Sequence, residues 1–213
     1  MELPLFPLHV VLFPGRPLPL HVFEPRYRTM LEDCLAADRR FGVVAIQAGK
    51  EVGGCAEIFE VGTVAQIESV TPLADGRSDI LTRGVQRFRV QELVPGTPYL
   101  KARVELLAEG CAAASDRARA AQLRDLLVPY LAGLGAPDEL LGRLPSDPDE
   151  LAYLAAAALQ TEVPDQQRLL ELDSTGTRLA ATLAMLRREA SLMRHFGRVG
   201  SLRPAGPNGA QLN

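Results

Sequence analysis

The sequence has no tryptophan, three histidines, three cysteines and only two lysines, Lys50 and Lys101, in 213 residues. Each scarcity weighs against a class of chemistry. No GxxxxGK(S/T) stretch exists, so there is no phosphate-cradling loop for nucleotide hydrolysis. His9, His21 and His195 are scattered, and no serine sits in a GxSxG elbow, so no nucleophile–base set is legible. His9 and His21 would approach each other if their strands paired, but a third metal ligand is not evident. Cys34, Cys55 and Cys111 lie far apart without a CxxC, which points to reduced, partly buried thiols rather than to disulfides or zinc. No cofactor and no catalysis are expected.

Long apolar runs are missing too. The segment from Leu3 to Leu31 is mostly apolar, yet Pro4, Pro7, Pro14, Pro17, Pro19 and Pro25 cut it into short pieces. It opens Met1-Glu2 rather than with a basic region, so neither an export signal nor a membrane span is read here, and a cytoplasmic protein is expected. The formal charge of −3 gives no general attraction to nucleic-acid phosphates.

The first half is rich in strand signals. Strands are predicted at 8–13, 18–23, 41–48, 56–73, 77–84, 86–94 and 98–107, from Val, Ile and Phe content and the Gly, Pro and Asp-Gly breaks between them. Asp75-Gly76 predicts a tight hairpin with positive φ at both central residues, and Gly62 a bulge or bend at a barrel corner. Prolines in these strands are expected at edges, ends or bulges. A helix should begin near Pro25, with Tyr27, Met30, Leu31, Cys34 and Leu35 on one apolar face.

After Glu109 the period becomes helical. Ser115 is positioned to cap a helix carrying Leu123, Leu126, Leu127, Tyr130 and Leu131. Asp147-Pro148 opens another, whose carboxylates Asp147, Asp149 and Glu150 are explained by capping and the helix dipole. A short helix at 164–172 precedes a long one from about Thr175 to Phe196, stopped by Gly197. The expected plan is α+β: a β subdomain at 1–110, a helical subdomain at 111–197, and a disordered tail at 198–213.

Two stretches hold candidate binding residues. In "FEPRY", Glu24 and Arg26 flank a proline at a strand-to-helix joint, where a charge-assisted bond would fix the joint; with Phe23 and Tyr27 they read as a structural clasp or the rim of an apolar groove between barrel and helices. In "RGVQRFRV", Arg87 and Arg89 alternate with Phe88 and Val90, which turns Phe88 to the core and the arginines outward; with Arg83 they form a candidate anion patch. Along the last helix, Leu179, Leu183 and Leu186 are a candidate docking stripe.

In this order and spacing, "LPLFPLHVVLFPGRPLPLHVFEPRYRTML", "FEVGTVAQIESVTPLADGRSDILTRGVQRFRV" and "PYLKARVELL" closely resemble the N-terminal substrate-binding domain of the ATP-dependent Lon proteases, and most of all its small stand-alone bacterial relatives. The resemblance implies a PUA-like β pseudobarrel followed by a helical bundle ending in a long helix. It implies a binding role towards unfolded or tagged polypeptides, with an ATP-dependent protease as a possible partner and no catalytic residue to transfer. An RNA-binding PUA-like module and a partner-docking or oligomerising protein stand as alternatives.

Overall fold

The computed structural model describes residues 1–49, 56–109 and 113–196. Lys50, Cys55, Cys111, Gly197 and the tail at 198–213 lie outside these. The first half runs β1 (Glu2–Leu8), β2 (Pro17–Val22), α1 (Pro25–Ala36), β3 (Arg40–Ala48), β4 (Glu57–Pro72), β5 (Ser78–Val94) and β6 (Leu100–Leu106). The second runs α2 (Ala114–Gly133), α3 (Asp138–Leu141), α4 (Pro148–Ala158), α5 (Val163–Glu171) and α6 (Thr175–Phe196). This is the α+β plan of a sheet followed by helices.

The sheet order is β2-β5-β4-β3-β1-β6, and a further β5–β6 pairing closes it into a barrel with β2 appended to β5. Closure is possible because β5 is long and bent. Val85 is an extra residue against β4, and the ladder continues past it, so the strands predicted at 77–84 and 86–94 are one. Inside the barrel the Phe88 ring packs directly on two glycines. A Cβ on Gly42 or Gly62 would sit 2.6 or 2.7 Å from Phe88 Cζ, and one on Gly62 would also strike the Val43 carbonyl. The bend expected at Gly62 is there: the β3–β4 register shifts between Val44 and Ile46, beside it.

The amino-terminal strand differs from its prediction, lying at Glu2–Leu8 rather than 8–13. Val11, Leu12 and Phe13 are buried without joining a ladder: Leu12 fills the core under α1, whereas Val11 and Phe13 enter the helical core. Apolarity there marks a junction between two cores, which an alternation pattern cannot distinguish from a strand. Pro4 and Pro7 also fall inside the sheet, not at its edge. They are tolerated because β1 changes partner at Leu5, pairing with β6 over Glu2–Leu5 and with β3 over Leu5–Leu8.

The β4–β5 turn is a hairpin, but only Gly76 has positive φ, at 79°. Its backbone bonds, Gly76 N–H to the Leu73 carbonyl and Leu73 N–H to the Arg77 carbonyl, define a longer loop in which Asp75 instead accepts from the Arg77 N–H. On α1, Tyr27, Met30, Leu31 and Cys34 are buried as predicted, whereas Leu35 is exposed at the margin. α2 starts at Ala114 with Asp116, not Ser115, bonding back to the Ala113 N–H. α4 is capped as expected, Asp147 accepting from the Asp149 and Glu150 N–H groups.

Candidate functional site

Among the described residues, two regions bear on the candidate binding residues: the seam between barrel and helical subdomain, and the joint between β2 and α1.

At the seam, Arg87 is 1% exposed. Its Nε donates to Glu109 Oε1 at 3.1 Å, and its Nη1 to the Leu170 and Leu172 carbonyls at 2.8 Å each. The Tyr153 hydroxyl donates to the other Glu109 oxygen at 2.5 Å, and Arg178 stacks over the Tyr153 ring at 4.2 Å. Arg178 in turn donates to Asp149 Oδ1 at 2.9 Å and to the Leu169 and Leu172 carbonyls. Gln167 of α5 donates to the Val61 carbonyl of β4. Burial pushes the Tyr153 phenol and the Asp149 carboxyl up and the Arg178 guanidinium down. This is a structural lock. It places the ends of α5 and α6 on the barrel by satisfying helix-end carbonyls that would otherwise be buried without donors.

Arg87 is therefore not part of a solvated arginine face. Alternation turns it away from Phe88, as expected, but the surface it meets is covered by α5. Arg83 and Arg89 are exposed and separate from it: Arg83 pairs with Glu68 at 2.5 Å, and Arg89 lines a cleft of about 400 Å³ with Gln47, Ile58, Phe59, Glu60, Val61 and Glu171. The patch is dispersed, and the cleft beside the bundle is polar rather than apolar. Leu179, Leu183 and Leu186 are 0–5% exposed in the helical core, covered by α2 and α4, so that stripe is not open for docking. Its period reports burial.

The "FEPRY" joint is arranged differently. The Glu24 carbonyl accepts the first helical bonds from Tyr27 and Arg28, and Pro25 takes the first position of α1. Arg26 Nε donates to Glu24 Oε2 at 3.1 Å, and the guanidinium covers the Tyr27 ring at 4.5 Å. Tyr27 is buried and stacks on Phe6 at 4.0 Å, which pins α1 to β1. Phe23 is 47% exposed and stacks on His21 at 5.9 Å. Between these two ring pairs lies an apolar groove of about 200 Å³, lined by Phe6, Leu8, Leu20, Phe23 and Tyr27 among others.

His21 was legible only as a possible partner of His9, yet β1 and β2 do not pair. Its Nδ1 lies 2.6 Å from Asp79 Oδ1 across the β2–β5 ladder. Among the described residues no cluster of His, Cys, Asp and Glu is disposed to hold a metal. No helix among them is long and apolar enough to cross a membrane.

A family model for the substrate-binding domain of ATP-dependent protease La (Lon) matches residues 2–188. The Lon protease of Anaeromyxobacter dehalogenans is 31% identical over 210 residues, 93% of this chain and 24% of the relative. Lon protease 2 of Myxococcus xanthus is 31% identical over 93% of this chain and 25% of its own. The chain thus spans about a quarter of these curated relatives. The crystal structure of a Lon N-terminal domain protein from Xanthomonas campestris superposes with a TM-score of 0.67 at 28% identity, over 86% of this chain and 98% of that one. The N-terminal domain of a Mycobacterium avium complex Lon protease shares the fold, with a TM-score of 0.71 at 19% identity over 88% and 98% of the two chains. The part of Lon matched is the substrate-binding domain alone, without the ATPase or protease modules, and the chain belongs to the Lon substrate-binding domain family.

Proposed function

We propose that this chain is a non-catalytic polypeptide-binding module that takes unfolded or extended segments of client proteins in the groove at the "FEPRY" joint. The observation that carries the reading is Phe23, a large aromatic half in solvent at the rim of an apolar groove, on a domain of this family. A groove of this size admits a side chain or two, so affinity for a single short peptide is low and avidity along an unfolded chain supplies the rest. Side chains do the recognising. β2 is an edge strand, but Pro17 and Pro19 give its edge no N–H donor at two of six positions, which discourages simple strand addition. An ATP-dependent protease acting in the cytoplasm is the proposed recipient of bound clients.

Backbone amide signals provide the test. A reduced, unfolded protein or a hydrophobic peptide at high micromolar concentration should shift residues 20–27, with little change at the seam. Shifts absent there, or confined to exposed arginines and produced by RNA but not peptide, would overturn the reading.

A further inference from the structure

Phe23 is the half-exposed rim of the groove, yet the backbone does little to aim it. The β2–β5 ladder ends at Val22 opposite Ser78, and α1 begins at Pro25, so Phe23 lies between the two elements. Val22 is buried, and alternation turns His21 and Phe23 to the same side, where their rings stack at 5.9 Å with 25° between the planes. The imidazole itself lines the groove.

His21 is held from the neighbouring hairpin. Its Nδ1 lies 2.6 Å from Oδ1 of Asp79, directly opposite it in the ladder, and Arg77 Nη1 approaches its Nε2 at 3.4 Å. A carboxylate accepts and a guanidinium donates, so the two contacts agree on a ring with its hydrogen on Nδ1. Arg77 is anchored in turn: its backbone N–H donates to Asp75 Oδ1 at 3.1 Å and its Nε to Asp75 Oδ2 at 2.5 Å. Arg28 of α1 lies against Gly76 at the hairpin turn, in the space a Cβ there would take. Neither Asp79 nor Arg77 is among the residues that line the groove, so their effect on it passes through His21.

We infer that His21, clamped by Asp79, is a positioning residue that holds the Phe23 ring at the rim of the groove before a client arrives. A half-exposed phenylalanine that stacks on nothing samples several rotamers, and ordering it on binding subtracts from affinity. A stacked platform fixed across the ladder removes part of that cost in advance. The consequence for clients rests on the groove being the client site proposed above; the geometry of the free chain does not.

Two measurements on the full chain test this. The His21 and Asp79 side chains are 42% and 58% exposed, so neither substitution opens the core. In the free protein, three-bond couplings from Phe23 Cγ to its backbone N and carbonyl C report χ1. Wild type should show one dominant rotamer, and His21→Ala or Asp79→Ala should average it. The second measurement is affinity for a hydrophobic peptide bearing a single tryptophan, followed by fluorescence. It should fall about three- to fivefold in His21→Ala, the scale of one side chain ordered on binding, and about twofold in Asp79→Ala, the scale of an exposed ion pair. Asp79→Asn, which keeps the acceptor, should restore both readouts. In a His21→Ala background Asp79→Ala should add nothing, because Asp79 acts through the ring. An averaged Phe23 rotamer in wild type, couplings unchanged by either alanine, or the same loss from Asp79→Ala in both backgrounds would overturn the positioning role. A peptide that fails to bind wild type would remove the groove as the client site, while the couplings would still decide whether His21 aims Phe23.

Discussion

The two faces of the barrel solve opposite problems with similar residue types. At the seam, Arg87, Arg178 and Tyr153 are buried and committed to carbonyls, carboxylates and one another. At the joint, Arg26, Tyr27 and Phe23 also combine a cation with rings, but the cation–carboxylate pair is local, between residues two apart, and one ring is left half in water. Buried charge that is fully partnered fixes one arrangement, because any departure leaves an unpaired group in low dielectric. Exposed rings beside a groove gain by being covered. The contrast fits a rigid seam and the binding role proposed for the joint, and each variant below separates the two.

The largest effect is expected from Arg87→Ala. It takes the cation from Glu109, which keeps Tyr153 and is partly exposed, and removes this donor from the Leu170 and Leu172 carbonyls, so unfolding free energy should fall by about 2–4 kcal/mol, as when buried acceptors lose a charged donor. Denaturant unfolding measures it. A loss below about 1 kcal/mol, the range of exposed pairs, would show that the seam is no lock.

Alkali should act first on the joint side. Beneath α1, burial and the nearby carboxylates of Asp38 and Asp33 push the Cys34 thiol up from 9.0 to about 12. Burial and its bond to Asp33 push the Tyr99 phenol up from 10.0 to about 12. Both groups hold their protons more tightly in the fold than in the unfolded chain. Their contribution is therefore fully present below about pH 9 and is lost as pH rises towards 12, stability falling wherever the folded state binds the extra proton. Tyr99→Phe should flatten the part of that fall above pH 10, measured by urea unfolding at stepped pH. An unchanged slope would remove Tyr99 as a tether of α1.

Much of this was readable in the sequence because it rests on local rules. The Asp147 cap, Pro25 at the start of α1, and the burial of Tyr27, Met30, Leu31 and Cys34 follow from spacing and chemistry alone. What escaped depends on contacts distant in the chain. Nothing near Arg87 announces that Leu170 and Leu172 will arrive to accept from it, 83 and 85 residues later. The leucines of α6 show the converse: a correct helical period cannot say whether the stripe meets a partner or its own core. "FEPRY" was marked by its odd composition, but only the structure divides it into a buried anchor, Tyr27, and an open rim, Phe23.

Glu24→Ala tests the clasp within that division. The Glu24–Arg26 pair is partly exposed, and the Glu24 carbonyl that starts α1 survives the substitution. The expected cost is about 1 kcal/mol, the value of a single partly solvated charge-assisted bond, read as a lower denaturation midpoint with unchanged cooperativity. A loss of several kcal/mol would make the joint as structural as the seam and erase the contrast.

Phe23→Ala carries the smallest stability effect and the most information. Half of the ring is already in water, and its stacking partner His21 is itself exposed and separately held by Asp79, so little packing is removed. Stability should change by no more than about 0.5 kcal/mol, as for surface substitutions away from special features. Binding of an unfolded protein should nevertheless weaken by about three- to tenfold, because a rim aromatic covered by a client contributes on the order of 1 kcal/mol through area and ring contacts. Because the chain has no tryptophan, a single tryptophan in the client peptide reports binding by its own fluorescence without background. Tyr27→Ala is the matched control, since it removes the buried half of the same groove and should lower both stability and binding. Equal affinity for wild type and Phe23→Ala would move the client away from the joint, while a stability loss as large as that of Tyr27→Ala would show Phe23 to be core.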